Sequence, residues 1–465
     1  MEDPDRVSGG LIGRLIGIAG AERVVTDLSR LVEFEHDWTG RFIGRTPFAV
    51  LPSTTEELAA VIGELSERHV GFVPQGGNTG LVAGATLLGG EVVIAMRAFE
   101  ADVTLDERRR ECVVGAGATL RAVQDAATHV GLDYPIDFAS HDRATIGGSV
   151  ATNAGGLRTL RHGPTAARVL GLEAVLPDAS FFQGLEIEPA DEGAVDLVRR
   201  LIGSEGILGV ITRARLRLEP ARRARATALI AVSSTAEAAA LAVRAVAELS
   251  NLESFEFVEA EGVELLADER GTHPPLAGRA LVVMELASDS DVRSDLTSFL
   301  KSADEPRGWE IARNEDERAA IWLWRQGQSE AISRAGIPHK LDVKIATDKA
   351  AELIHKCHLA LQELAPDARL FAFGHLAEGR LHLNIIDLDP EDRRVDATLL
   401  GLVASNGGAI VSEHGVGRVK VNEFVASLTP KERAELVATK KAIDPDWISN
   451  PGAVLPLQLS EGSKK

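Results

Sequence analysis

Two histidines, His375 and His382, flank a short polar stretch in the run Phe371-Ala372-Phe373-Gly374-His375-Leu376-Ala377-Glu378-Gly379-Arg380-Leu381-His382-Leu383-Asn384-Ile385-Ile386. Apolar residues on both sides of Ala377-Glu378-Gly379-Arg380 predict a β-hairpin with its glycine where a turn needs positive φ. Folded about the Glu378–Gly379 bond, the hairpin sets His375 against His382, Leu376 against Leu381 and Phe373 against Asn384. Directly opposed residues share a face, so both imidazoles reach one point. We read them as two ligands of a divalent metal; the plainer reading is a polar sheet face with two histidines. A third ligand is available in Ser412-Glu413-His414-Gly415-Val416-Gly417, where Glu413 adjoins another imidazole. Two histidines and one carboxylate leave an open coordination position, the pattern of a catalytic ion.

The elements that would position these groups alternate along the chain. Ala49 to Leu51 reads as a strand leading into a helix capped by Ser53 and Glu56, with Leu58, Val61, Ile62 and Leu65 at helical spacing. The strand Gly71-Phe72-Val73 ends in Pro74-Gln75-Gly76-Gly77-Asn78-Thr79-Gly80-Leu81. Such a loop can present consecutive backbone N–H groups to a phosphate. It matches neither a P-loop nor a GxGxxG fingerprint, and a plain glycine turn is the alternative. Further glycine clusters follow at 144–156 and 203–212. Together, three clusters with β-rich borders suggest one extended diphosphate ligand touched three times.

Beyond Arg223 the character shifts. Strands are expected at Ala226 to Val232, Ser254 to Val258, Arg279 to Leu286 and Lys340 to Ile345. Helices are expected at Thr235 to Leu249, Asp291 to Leu300 and Lys349 to Leu364. This pattern predicts an α+β domain with a sheet covered by helices on one side.

Composition limits the partners. The 465 residues suffice for two or three domains. A net charge of −19 argues against nucleic acid and anionic membranes, so an anionic substrate needs a local cationic pocket. Cys112 and Cys357 fit free thiols of a reducing cytoplasm. The apolar run Leu11 to Ala19 contains Gly13, Arg14 and Gly17, and reads as neither signal peptide nor membrane span.

Six ordered motifs resemble the FAD-linked D-2-hydroxy-acid dehydrogenases of the vanillyl-alcohol oxidase/p-cresol methylhydroxylase superfamily. They are PQGGNTGLVAG (74–84), IGGSVATNAGGLRTLRHG (146–163), IGSEGILGVIT (202–212), FGHLAEGRLHLN (373–384), SEHGVGRVK (412–420) and DPDWISNPGAVL (444–455). The resemblance implies an α+β chain: a two-part FAD-binding domain of the p-cresol methylhydroxylase type and an α+β substrate (cap) domain with a mainly antiparallel sheet. The expected division is a helical lead-in at 1–42, the FAD-binding domain at 43–222, the substrate and metal domain at 223–430, and a segment returning to the flavin at 431–465.

It implies that FAD contacts Pro74, Gln75, Gly76, Gly77, Asn78, Thr79, Gly80 and Leu81, with the pyrophosphate on this loop. Pro135, Thr145, Gly147, Gly148, Ala151, Thr152, Asn153 and Gly155 form the next stretch of the cofactor site. Glu205, Gly206, Ile207, Val210, Ile211 and Asn450 complete it. Asn78 stands where some relatives carry a flavin-bonded histidine, so FAD is expected to be non-covalent. His375, His382 and Glu413 match the metal ligands, for zinc or manganese, and His414 the catalytic base. Arg325, Ser329, Lys340 and Asn384 fall at substrate positions, Ser329 replacing a threonine; solvated surface charges are the alternative for Arg325 and Lys340. The turn Ala377-Glu378-Gly379-Arg380 replaces a Gly-Asp-Gly-Asn turn, and the segment 183–200 departs from relatives, which bears on the substrate.

The expected reaction is oxidation of a small D-2-hydroxy acid, with electrons passing to an electron-transfer flavoprotein or a quinone. A tailoring oxidase acting on a larger hydroxy or amino acid, and a flavin subunit working only inside a complex, are the rival readings. A homodimer is compatible with all three.

Overall fold

Apolar runs bounded by glycine and proline become short strands in the protein, whose computed structural model describes residues 9–186, 191–276, 278–303 and 308–460. Packing divides the chain into two units. The first comprises Met1–Gly155, Pro164–Ala221 and Glu413–Lys465, and the second Gly156–Gly163 and Arg222–Ser412. The chain thus rejoins the first unit at Glu413, earlier than the 430/431 boundary expected from sequence. Part of the divergent segment 183–200 lies outside the described residues.

The first unit begins with β1 (Val24–Val25), β2 (Ala49–Val50), β3 (Phe72–Gln75) and β4 (Val92–Ala95). They pair in the order β1-β2-β4-β3, the last three parallel. Parallel strands must be covered on both faces, and β4 divides accordingly. Val92 and Ile94 pack with Leu58, Ile62 and Leu11, while Val93 and Ala95 pack with Leu31 and Phe34. The helix Thr55–Ser66 starts one residue later than the Ser53/Glu56 pattern suggests. Thr54 accepts from Glu57 N, and the Glu57 carboxylate takes the Ser53 N–H and also Arg23, at 2.6 Å. That distant arginine is what selects Glu57 over Glu56.

Next come β5 (Val103–Asp106), β6 (Glu111–Gly115), β7 (Leu132–Asp133), β8 (Val169–Val175), β9 (Phe181–Gly184), β10 (Val210–Arg217) and β11 (Glu219–Pro220). Five of them form an antiparallel sheet, β5-β6-β10-β8-β9, and β7 pairs with β11.

The second unit is built on β12 (Ala224–Val232), β13 (Leu252–Val258), β14 (Ala280–Ser288), β15 (Gly308–Ile311), β16 (His339–Lys344), β17 (Arg369–Gly374) and β18 (Arg380–Ile386). All pair antiparallel, in the order β15-β12-β14-β13-β17-β18-β16. One face carries Leu229, Val283, Val258 and Phe373 against Val263, Trp322 and Ile332 from the helices Ala260–Arg270, Glu315–Gln326 and Gln328–Ala335. The opposite face, with Phe255, Phe257, Met284 and Leu383, is buried as well. Helices Thr235–Glu248 and Ala350–Leu364 pack on the sheet too. The expectation of helices on one side only is therefore corrected: strands such as β12 are apolar continuously rather than alternately, and need cover on both faces.

The hairpin forms with a different register. Phe373, not His375, opposes His382, and Phe371, not Phe373, opposes Asn384. Instead of a two-residue turn, a 3-10 turn at Leu376–Glu378 closes on Gly379, whose φ of 68° places it in the left-handed region. A Cβ there would sit 1.8 Å from Ile345 O, so only glycine fits. The slip is two residues, which keeps each side chain on its face.

Candidate functional site

In the first unit the three glycine clusters converge. The loop after β3 lies so close to the second cluster that a Cβ on Gly77 would stand 1.9 Å from Arg143 O, and one on Gly76 would stand 2.4 Å from Thr145 Oγ1. Thr145 caps the short helix Ile146–Ala151, accepting from Gly148 N, and Gly147 N reaches Ala116 O. The third cluster bonds to the second through Gly203 N to Val150 O and Glu205 N to Ala151 O. Gly206, at φ 77°, approaches Pro74. Thr152 Oγ1 donates to Gly148 O, and Asn153 Oδ1 accepts from Ala166 N. Gly155 is buried, Pro135 is buried beyond β7, and Ile207, Val210 and Ile211 are buried at the start of β10.

Among the described residues, no backbone N–H from Gly76 to Leu81 donates to a protein acceptor. Asn78, at φ 50°, turns its side chain back to His36 O, leaving Thr79 and Gly80 at the loop's outer end. Half-buried donors in a glycine loop fit an anionic phosphate group.

The chain's end joins this framework. Asn450 N donates to Phe72 O, and Asn450 Nδ2 donates to Gly84 O and Glu205 O. Glu205 uses both carboxylate oxygens on the loop that follows His414, accepting from Val416 N at 2.7 Å and Gly417 N at 2.8 Å. Burial pushes its carboxyl up, and these two donors pull it back. From the same loop Arg418 donates to Gly84 O, Asn450 Oδ1 and Pro451 O. Burial lowers its guanidinium to about 10. Lys440, buried against Asp444, also donates to Ile207 O and Ser449 O. Glu413 is buried and His414 half-buried in this unit.

The second unit gathers polar side chains where β13, β17, β18 and β16 meet. His382 and Asn384 alternate along β18; Asp342 opposes His382, and Lys340 opposes Asn384. The His375 and His382 rings stand edge to face with centroids 5.3 Å apart, so the register change leaves them adjacent. His375 Nδ1 lies 2.6 Å from Glu256 Oε1, and His382 Nδ1 lies 3.3 Å from Asp342 Oδ1. Arg325 donates from Nε to Glu256 Oε2 at 2.7 Å and lies over the Phe373 ring. Arg325, Lys340 and Asn384 are buried rather than solvated, and Ser329 is half-buried in the helix after Arg325. His382 and Asp342 offer a ring nitrogen and a carboxylate oxygen close enough to share a divalent ion.

Glu256, Asp342 and Arg418 were not singled out from sequence. Glu256 left a readable signal: in Ser254-Phe255-Glu256-Phe257-Val258 the phenylalanines alternate with a charge that must be paired if buried. Arg418 lies within a quoted motif, but nothing local shows which carbonyls it holds.

A mostly parallel sheet with three interlocked glycine loops is followed along the chain by an antiparallel sheet bearing two adjacent imidazoles. The family profile described as "FAD binding domain" matches residues 46–183, and "FAD linked oxidases, C-terminal domain" matches residues 221–454. The chain belongs to this family of FAD-linked oxidases. It is 31% identical over 459 residues to the protein named D-2-hydroxyglutarate dehydrogenase, mitochondrial, of Arabidopsis thaliana, covering 95% of this chain and 81% of that one. It is 30% identical to a D-2-hydroxyglutarate dehydrogenase of Xanthomonas citri pv. viticola, over 93% and 94% of the two chains. Among solved structures, p-cresol methylhydroxylase with substrate bound matches with a TM-score of 0.77 at 15% identity, covering 98% of this chain and 99% of that one. That match shows the p-cresol methylhydroxylase-type fold. Among the described residues, no helix is long and apolar enough to cross a membrane.

Proposed function

We propose that this chain oxidises a D-2-hydroxy acid, of the D-2-hydroxyglutarate, D-lactate, D-malate or glycolate type, to its 2-oxo acid. The observation that carries the reading is the buried face of the second unit, where two cations, Arg325 and Lys340, share a sheet region with the paired rings of His375 and His382. Buried cations in a chain of net charge −19 are what an anionic substrate needs. The names of the relatives support the same substrate class.

Bound FAD supplies the hydride acceptor, and a divalent ion supplies Lewis acidity that lowers the pKa of the 2-hydroxyl. His375, His382 and Glu413 would hold the ion. Arg325 grips a carboxylate with its planar fork, whereas Lys340 contributes a point charge. Ser329 and Asn384 add hydrogen bonds that orient the acid. His414 takes the proton from the substrate hydroxyl oxygen as general base. The Gly76–Leu81 loop binds the pyrophosphate without covalent attachment. An electron-transfer flavoprotein or a quinone is the acceptor.

Anaerobic bleaching of the flavin across paired D- and L-2-hydroxy acids tests this. Rapid bleaching by a D-acid is expected, with the L-enantiomer inert. A flavin that no 2-hydroxy acid bleaches would overturn the assignment.

A further inference from the structure

One buried carboxylate is shared by two groups that the proposed reaction uses for different purposes. Glu256, on β13, is 1% exposed. Its Oε1 lies 2.6 Å from His375 Nδ1, and its Oε2 accepts from Arg325 Nε at 2.7 Å. We propose that Glu256 is a positioning residue that fixes His375 and Arg325 as one rigid pair, setting the imidazole tautomer for the ion and the aim of the guanidinium for the substrate carboxylate. The inference rests on the metal-assisted reading above.

A carboxylate only accepts, so the proton of His375 sits on Nδ1 and the lone pair on Nε2. His382 Nδ1 lies 3.3 Å from Asp342 Oδ1 on the neighbouring strand, a charge contact rather than the hydrogen bond that joins His375 to Glu256. Glu256 also engages Arg325 through its second oxygen. With Nε committed, the guanidinium keeps its two terminal nitrogens as a fork for another carboxylate. The Phe373 ring, 4.8 Å from Arg325 Cζ and 5.2 Å from the His382 ring, fills the space between the two groups. Ion and substrate sites therefore share one support, and a change at Glu256 reaches both. An amide in its place presents one acceptor to two donors, so one of them must lose its partner.

The test uses the FAD-loaded full-length protein, stripped of metal by chelation and titrated with Mn²⁺. Glu256→Gln should bind Mn²⁺ about 10- to 100-fold more weakly, with a raised KM for the hydroxy acid and unchanged FAD content. Glu285→Gln removes a buried charge from the same sheet that touches neither His375 nor Arg325, and should keep wild-type Mn²⁺ affinity. An equal loss in Glu285→Gln, or wild-type affinity in Glu256→Gln, overturns the inference. Wild-type protein that binds no divalent ion overturns the metal-assisted reading along with it. Nitrogen-15 NMR of the ion-free wild type is independent of whether a variant folds: an Nδ1–H tautomer at His375 supports the proposal, and an Nε2–H tautomer refutes it.

Discussion

Glu253 offers the most quantitative test of how the segment following the second glycine cluster is held. Residues Gly156–Gly163 are flanked in sequence by the first unit but pack as part of the second. Their anchor is Glu253, whose side chain is 1% exposed and lies near Arg161 and His162, each at 3.4 Å, and Arg158 at 3.8 Å. Arg225 approaches from β12 at 3.4 Å. Burial alone would raise the carboxyl, but the His162 hydrogen bond and the Arg225 and Arg158 charges hold it down at about 2, from 4.5. At about 1.4 kcal/mol per pH unit that difference is worth about 3 kcal/mol. Breaking a buried ion pair by removing one partner costs about 3–5 kcal/mol, which agrees. Glu253→Gln should therefore lower the unfolding free energy by about 3 kcal/mol near neutral pH, read from the urea midpoint at unchanged slope. The sign with pH follows from a depressed folded-state value: the stability is present above about 4.5 and is lost as pH falls toward about 2. The gap between wild type and variant should narrow across that window. Trypsin should also cut sooner after Arg158 and Arg161 in the variant. A gap that stays constant with pH, or a variant as stable as wild type, would refute the account.

Three further outcomes are expected. Gly77→Ala forces a Cβ to 1.9 Å from Arg143 O, an overpacking cost of about 3 kcal/mol or more, and should yield protein deficient in FAD by absorbance. His414→Asn should retain the divalent ion by elemental analysis yet slow anaerobic flavin reduction by about 10²- to 10⁴-fold; a wild-type reduction rate would remove His414 from the mechanism. Stripping the ion with EDTA should stop turnover while the flavin spectrum persists, and full activity after verified removal would end the metal role.

Much of this was legible in the chain itself. The glycine clusters, their β-rich borders and the flanking apolar runs specify local geometry, because turn chemistry and side-chain period act within a few residues. The types and order of the reactive side chains, and with them the family, are also carried by the letters alone. Tertiary structure decided the pairings. Gly77 shows positive-φ permissiveness in sequence, but that it lies against Arg143 follows from the packing of two distant loops. The hairpin register shifted because Gly379 fits beneath Ile345 O, and the helix at Thr55 took Glu57 over Glu56 because Arg23 lies within reach. Which nitrogen of His375 faces inward depends on Glu256, more than a hundred residues away in sequence. Local sequence sets what each segment can be; burial, which forces every charge and N–H to find a partner across the fold, selects what it becomes.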